Sequence, residues 1–242
     1  MKITVLGSSG TFAGPDGACT GYLVQAGGVN VLLDCGPGVV ANLQEHLPLE
    51  AIDAVVLTHC HPDHWLDFPV LRNALRYVID VGGIPAYGTA ETYDKAMVVL
   101  DKEVAPTFDW TTIDPDSRLV LGDQSWRFAL TDHPVETLAP RIDVGGSSFA
   151  FSADTGPQFD AAQLGPDLDF FICEASLPVV FEGMAPHVSG REAARMAHAA
   201  GAQRLAITHV VPGCDADQHR AEAEMEYGAP VEMAATGVVF DV

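Results

Sequence analysis

A chain of 242 residues, 48% of them hydrophobic, holds enough apolar material for a sizeable core, which argues against global disorder and fits one large α/β domain or two small ones. The formal net charge of −21, with its 12 Lys and Arg scattered, argues against a large nucleic-acid footprint, since such a field repels polyanions; a small anionic substrate held by metals stays compatible with it. No apolar run approaches the ~18 residues of a membrane-spanning helix, and five widely spaced cysteines without a C-x-x-C argue against a disulfide framework or zinc ribbon, so they read as reduced, small apolar packers.

The first residues, Met1 to Gly7, read as a strand running into a glycine loop and lack the regions of a signal peptide, which makes the cytoplasm the expected compartment. In chain order, strands are expected at Ile3–Leu6, Tyr22–Val24 and Val29–Leu33, the last two joined by a hairpin at Ala26-Gly27-Gly28. A short buried strand, Ala54–Leu57, ends at Thr58, and helices are expected over Asp67–Val78 and Ala90–Glu103. Further strands fall at Trp126–Leu130, Ser147–Phe151, Leu168–Cys173, Leu205–Ile207 and Gly237–Val242. Ser189-Gly190-Arg191-Glu192 forms a capping box for a helix that Gly201 ends, and Asp215-Ala216-Asp217-Gln218 offers the same logic for a last helix stopping near Gly228. Interleaved strands and helices without a linker or internal repeat favour a single layered α/β domain over residues 1–242.

The chemistry concentrates in Thr58-His59-Cys60-His61-Pro62-Asp63-His64. Residues two apart in extended chain share a side, so His59 and His61 can grip one ion, while Asp63 and His64, beyond the turn at Pro62, can face a neighbouring one. Cys60 alternates with its neighbours and reads as packing. Three more candidates lie just past the ends of buried strands: His133, Asp154 and His209. With the first motif they complete two ligand sets around a shared carboxylate. Asp34 and Thr58 are plausible orienting partners of the imidazoles and equally plausible turn residues. His46, His198 and His219 fall on expected helices away from the strand ends and read as non-functional.

Together these motifs resemble the metallo-β-lactamase superfamily, and within it the ribonuclease Z-like branch, over nearly the whole chain. Leu33-Asp34-Cys35-Gly36-Pro37-Gly38 is similar to that branch's Asp-Cys-Gly motif, and the segment from His59 to His64 matches the signature. His133 to Thr137 resembles its H-x-x-x-S/T segment, Cys173-Glu174-Ala175 its Glu-Ala-Thr motif, and His187 the histidine of a Gly-His-Met-Thr-like loop, here Pro186-His187-Val188-Ser189. The resemblance implies a four-layer αββα sandwich with two divalent metal ions, zinc foremost and Mn2+ or Fe2+ as alternatives. It puts His59, His61 and His133 on one ion, Asp63, His64 and His209 on the other, and Asp154 between them. Glu174 and His187 would form an acid pair aimed at the leaving oxygen, so His187, Glu174 and Asp63 are the candidate catalytic residues. An adjacent carboxylate favours the charged imidazole, the form that can donate a proton near neutrality.

A water bridging two such ions would be acidified, and the bond under attack polarised, which suits a phosphodiester. Members of the branch that mature tRNA carry a protruding arm in the interval from His133 to Asp154; here that interval holds only Pro140-Arg141 and the Gly145-Gly146 turn. With Gly7-Ser8-Ser9-Gly10 opening the chain and Asp67-Phe68-Pro69 after the signature, the compact form looks most like small bacterial cyclic-nucleotide phosphodiesterases. The expected activity is therefore hydrolysis of small phosphodiesters, with a small-molecule substrate, no membrane partner and a homodimer as the family-based assembly. The alternatives are a ribonuclease Z-like RNA endonuclease, a thioester or lactone hydrolase of the glyoxalase II type, and a metal-binding regulator that has lost catalysis.

Overall fold

In the computed structural model, which describes residues 1–15 and 17–242, two seven-stranded mixed sheets lie face to face with helices on both outer faces. The first half of the chain supplies β1 (Lys2–Gly7), β2 (Gly21–Ala26), β3 (Val29–Leu33), β4 (Ala54–Val56), β5 (Ile84–Gly88) and β6 (Phe108–Thr112). Between them lie helices α1 (Val39–Leu43), α2 (Pro62–Trp65), α3 (Phe68–Ala74) and α4 (Ala90–Val99). The second half supplies β7 (Arg118–Leu121), β8 (Gln124–Leu130), β9 (Leu138–Val144), β10 (Ser147–Phe151), β11 (Phe170–Glu174), β12 (Arg204–Thr208) and β13 (Glu232–Met233), with α5 (Gly190–Ala199) and α6 (Ala216–Tyr227). The last strand, β14 (Val239–Asp241), returns to β1, so the sheet orders are β14-β1-β2-β3-β4-β5-β6 and β13-β12-β11-β10-β9-β8-β7.

Strand alternation builds the layers. In β3, Val31 and Leu33 enter the core between the sheets while Leu32 faces the helical layer of α1 to α4. In β10 and β11, Phe149, Phe151, Phe170 and Ile172 fill the inter-sheet core, whereas Ala150, Phe171 and Cys173 pack against α5 and α6. Strands buried on both faces read as continuous apolar runs, and the small residues Ala193, Ala194 and Ala197 let α5 lie close to its sheet. This is the αββα arrangement that the resemblance implies.

Several elements differ from the sequence reading. The expected helix over Asp67–Val78 is α3 followed by a π-turn at Leu75–Ile79 that ends at left-handed Asp80, φ 62°. Asp67 lies outside it; its Oδ2 accepts from Gly38 N and Val40 N at 2.9 and 3.0 Å and so caps α1. The helix expected to Glu103 stops at Val99. The capping box at Ser189 and Glu192 is present, but Gln218 bonds Glu222 instead of reaching back to Asp215, whose own carboxylate caps α6. The stretch from Leu138 to Val144, which looks like loop because Pro140 lacks a ladder N–H and Arg141 is charged, is the seven-residue strand β9. Arg141 satisfies itself on the carbonyls of Leu164, Gly165 and Pro166, 2.9 to 3.2 Å away. No helix among the described residues is long and apolar enough to cross a membrane.

Candidate metal centre

Most of the chemistry-bearing side chains come from chain at or just beyond strand ends, where the backbone leaves the ladder and is free to turn, and His187 comes from the turn before α5. His59 and His61 follow β4, and α2 carries Asp63 and His64 with Pro62 at its first position, where a missing N–H costs nothing. His133 follows β8, Asp154 follows β10, Glu174 ends β11 and His209 follows β12. Of the eight non-glycine residues with left-handed backbone among the described residues, Thr11, Asp34, Ala153 and His209 border this cluster. Strain of this kind persists only where surrounding contacts over-determine it, as they do here.

Two groups of these side chains share one carboxylate, and a third, Glu174, His187 and His209, adjoins them. One potential ligand atom from each of His59, His61, His133 and Asp154 lies within 4.8 Å of the others, and the same holds for Asp63, His64, Asp154 and His209. All seven sequence-derived metal candidates are thus brought together. Cys60 belongs to neither group; its Sγ accepts from Lys95 Nζ at 3.0 Å. His46 and His198 lie in no ligand group, and His219 is buried with Nδ1 donating to the Ala175 carbonyl at 2.6 Å.

Proton bookkeeping on the rings tests whether a cation fits. His64 Nδ1 donates to Asp34 Oδ2 at 2.7 Å, and the same carboxylate takes Thr58 Oγ1 at 2.9 Å and Thr58 N at 2.8 Å. His59 Nδ1 reaches Thr58 Oγ1 at 3.0 Å, His133 Nδ1 the Pro186 carbonyl at 3.2 Å, and His209 Nδ1 Ser176 Oγ at 2.8 Å. With Nδ1 carrying the proton in each neutral ring, all four Nε2 atoms present lone pairs. Those lone pairs face carboxylate oxygens and one another. His64 Nε2 is 3.0 Å from Asp154 Oδ1 and 3.3 Å from His209 Nε2, and His209 Nε2 is 3.2 Å from Asp63 Oδ2 and 3.3 Å from Asp154 Oδ1. His59 Nε2 and Asp154 Oδ1 are buried without a hydrogen-bond partner. Acceptors packed against acceptors are stable only with positive charge between them, so the donor set fits divalent cations.

Titration behaviour follows the same logic. Burial opposes charge on His64, yet Asp154 and Asp34 outweigh it and hold its pKa well above the ordinary value. Burial opposes ionisation of Asp154 as well, but the facing His209 and His64 keep it well below the usual carboxylate range. His59, further from a compensating carboxylate, is held down by burial and by the charge on His64. Without an ion, protons take the place of the cation.

Beside the cluster, His187 Nδ1 lies 2.9 Å from Glu174 Oε1, as the sequence-based pairing expects. Glu174 is fully buried and also takes Thr155 N at 2.7 Å and Ser176 Oγ at 2.7 Å. Burial works against a charged His187, but the hydrogen bond and charge of Glu174 overcome it and push its pKa up to about 9. Ser176 therefore joins two functions: its hydroxyl donates to Glu174 and accepts from His209. Sequence reasoning missed it, although it directly follows the Glu174-Ala175 pair. A cavity of about 310 Å³ opens over the cluster, lined by Thr11, His61, Pro62, Asp63, Asp154, His187 and His209.

Residues 29–210 match the family described as beta-lactamase superfamily domain. The chain is 32% identical to the probable metallo-hydrolase YhfI of Bacillus subtilis, with both proteins covered in full. The crystal structure of YhfI covers 99% of each chain at a TM-score of 0.91 and 31% identity. A ribonuclease Z of Mycobacterium bovis is 29% identical over 96% of this chain and 95% of its own. The short form of human tRNase Z shares the fold, with a TM-score of 0.80 and 19% identity over 100% of this chain and 99% of that one. With its His/Asp metal-binding cluster, the chain belongs to the metallo-β-lactamase superfamily of metal-dependent hydrolases and fits its ribonuclease Z-like branch.

Proposed function

We propose that the protein is a two-zinc phosphodiesterase acting on small phosphodiesters, with cyclic nucleotides as the foremost substrates. One observation carries this reading: the His187–Glu174 pair sits at 2.9 Å beside the His/Asp cluster, and His187 lines the same cavity. Cleaving a phosphodiester with a poor leaving group calls for both metal-held charge neutralisation and a positioned acid. His59, His61 and His133 would hold one ion and Asp63, His64 and His209 the other, with Asp154 between them. When bound, the ions supply Lewis-acid activation of water and neutralise charge on the non-bridging phosphate oxygens.

The chain's own residues do the rest. His187 Nδ1–H donates a hydrogen bond to Glu174, which leaves Nε2 as the nitrogen able to pass a proton to the departing oxygen. Glu174, held by Thr155 and Ser176, keeps the ring oriented and charged. Asp34 and Thr58 hold the imidazoles of His64 and His59 in the tautomers that turn Nε2 towards Asp154.

Substrate size follows from what surrounds the cavity. The interval between His133 and Asp154 is taken up by β9 and β10, joined at Gly145 and Gly146, and nothing protrudes there to grip a folded RNA. The −21 charge works in the same direction. Likeness to a protein named ribonuclease Z supports the phosphodiester as the bond class. The test compares kcat/KM of the metal-replete protein on cyclic AMP, cyclic GMP, bis-p-nitrophenyl phosphate, S-lactoylglutathione and pre-tRNA. Cyclic nucleotides should exceed pre-tRNA and the thioester. A higher value for pre-tRNA would make the protein an RNA endonuclease, and a higher value for the thioester would place it among the glyoxalase II-type enzymes.

A further inference from the structure

The loop after β1 contains a strained turn whose purpose is visible in its contacts. Thr11 has φ 65°, a region that a β-branched side chain rarely occupies. Phe12 N donates to the Gly10 carbonyl at 2.7 Å, closing a three-residue turn over Thr11 of the left-handed γ type, which is rare because it is strained. Neighbouring backbone holds the loop in this shape. His209 N donates to the Ser8 carbonyl at 3.0 Å, and Gly10 N to the Val210 carbonyl at 3.2 Å. Gly10 must lack a side chain, because a Cβ there would come 2.3 Å from the His209 carbonyl oxygen.

What the strain delivers is a donor. Thr11 N lies 2.8 Å from Asp63 Oδ2, the same oxygen that stands 3.2 Å from His209 Nε2. Among the described residues, no other backbone N–H reaches this carboxylate. In the neutral ring that can hold an ion, His209 has its only proton on Nδ1, towards Ser176, so its Nε2 donates nothing to Asp63 and Thr11 is the donor that remains. Asp63 rides on a four-residue helix at the edge of the cavity, so its side chain needs an external tie to hold one rotamer.

We propose that Thr11 is a positioning residue for metal binding: its left-handed turn aims a backbone N–H at Asp63 Oδ2 and locks that carboxylate in the orientation shared with His64 and His209. Hydrogen-bond partners that orient a ligand contribute to affinity, and their loss typically lowers it about 10- to 100-fold. This inference rests on the two-ion reading above, but on neither the substrate nor the reaction, so a protein that binds two ions and cleaves no phosphodiester leaves it intact.

The test exchanges one backbone N–H for an oxygen. Residues 1–18 made synthetically, with an α-hydroxy acid in place of Thr11, are ligated at Cys19 to the remaining chain and the full-length product is refolded. The resulting ester keeps the side chain and lacks the N–H. Thr11→Gly, which keeps the N–H and accepts φ 65° without strain, is the companion. Each metal-free protein is titrated with Co2+ while its visible spectrum is followed, and its thermal unfolding is recorded. The ester should bind one Co2+ about 10- to 100-fold more weakly and the other as the parent does. Thr11→Gly should bind both ions as the parent does and melt no lower. Parent-like binding of both ions by the ester would overturn the proposal. So would equal losses at both ions, or a loss in Thr11→Gly matching that in the ester, since either would mean that the loop shapes the site as a whole.

Discussion

Removing the His187 imidazole is the perturbation that separates acid catalysis from substrate binding. Burial opposes charge on this imidazole, but the Glu174 carboxylate outweighs it and pushes the ring up to about 9 before any ion binds, which favours the protonated form that stands ready as a donor. Positioned acid catalysis contributes about 10²- to 10⁴-fold, or ~3–5 kcal/mol of barrier, when the leaving group is an alkoxide. His187→Ala should therefore lower kcat on a cyclic nucleotide by that factor and leave metal content unchanged, because His187 lies outside the two groups that share Asp154 and its Nδ1 is bonded to Glu174. On bis-p-nitrophenyl phosphate, whose p-nitrophenolate leaves without a proton, the loss should be much smaller. Glu174→Gln should give a weaker version of the same pattern. An amide there can keep Oε1 on Thr155 and His187 while donating to Ser176 Oγ, whose own proton turns to the His209 carbonyl 3.1 Å away. These side-chain bonds survive, the 3.4 Å contact from Ser176 N to Oε2 is given up, and the charge is lost. The pH profile adds a sign: a raised imidazole keeps the acid form below its pKa, so activity on the cyclic nucleotide falls as pH rises through it. In Glu174→Gln this fall should come at lower pH. Bound cations lower both values, and the difference between parent and variant persists. Steady-state kinetics on the two substrates, with metal analysis of each variant, decides the matter. Equal losses on both leaving groups would refute the acid role, and loss of an ion in either variant would place the residue among the ligands.

Three further outcomes follow from the same geometry. Asp154→Ala should loosen both ions, whereas His133→Ala should chiefly loosen one, as read by equilibrium dialysis with a competing chelator. Ser176→Ala leaves His209 Nδ1 and Glu174 Oε2 without their shared hydroxyl, and should weaken one ion by about 10- to 100-fold while the other stays unchanged. Metal binding should release protons and tighten as pH rises: against the opposition of burial, Asp154 raises the pKa of both His64 and His209, and an ion must displace the protons these rings hold. Calorimetry in buffers of different ionisation heat would detect that release, and a pH-independent affinity would contradict it.

Much of this site could be read from residue order because its chemistry lies where the backbone is simplest. His59, His61, His133, Asp154 and His209 each follow a short apolar run, and a run of that kind marks a strand whose end is a point of convergence. The partners that make the rings useful are harder to see. Ser176 acts through a shared proton and Thr11 through a backbone N–H, so neither has a side-chain pattern that distinguishes it from an ordinary turn residue. Strands were missed for related reasons. β6 and β7 lie at sheet edges and carry exposed residues such as Asp109, Thr111 and Val120, which blur alternation, while Pro140 disguises β9 although the strand is paired on both sides. Helix α2 is a single turn and too short for any periodicity to register.

If the convergent lone pairs of this cluster hold two ions around Asp154, elemental analysis of the purified protein under metal-replete conditions counts them. The parent should carry two divalent ions per chain, with zinc the foremost of them. At most one ion per chain under those conditions would contradict the two-ion reading.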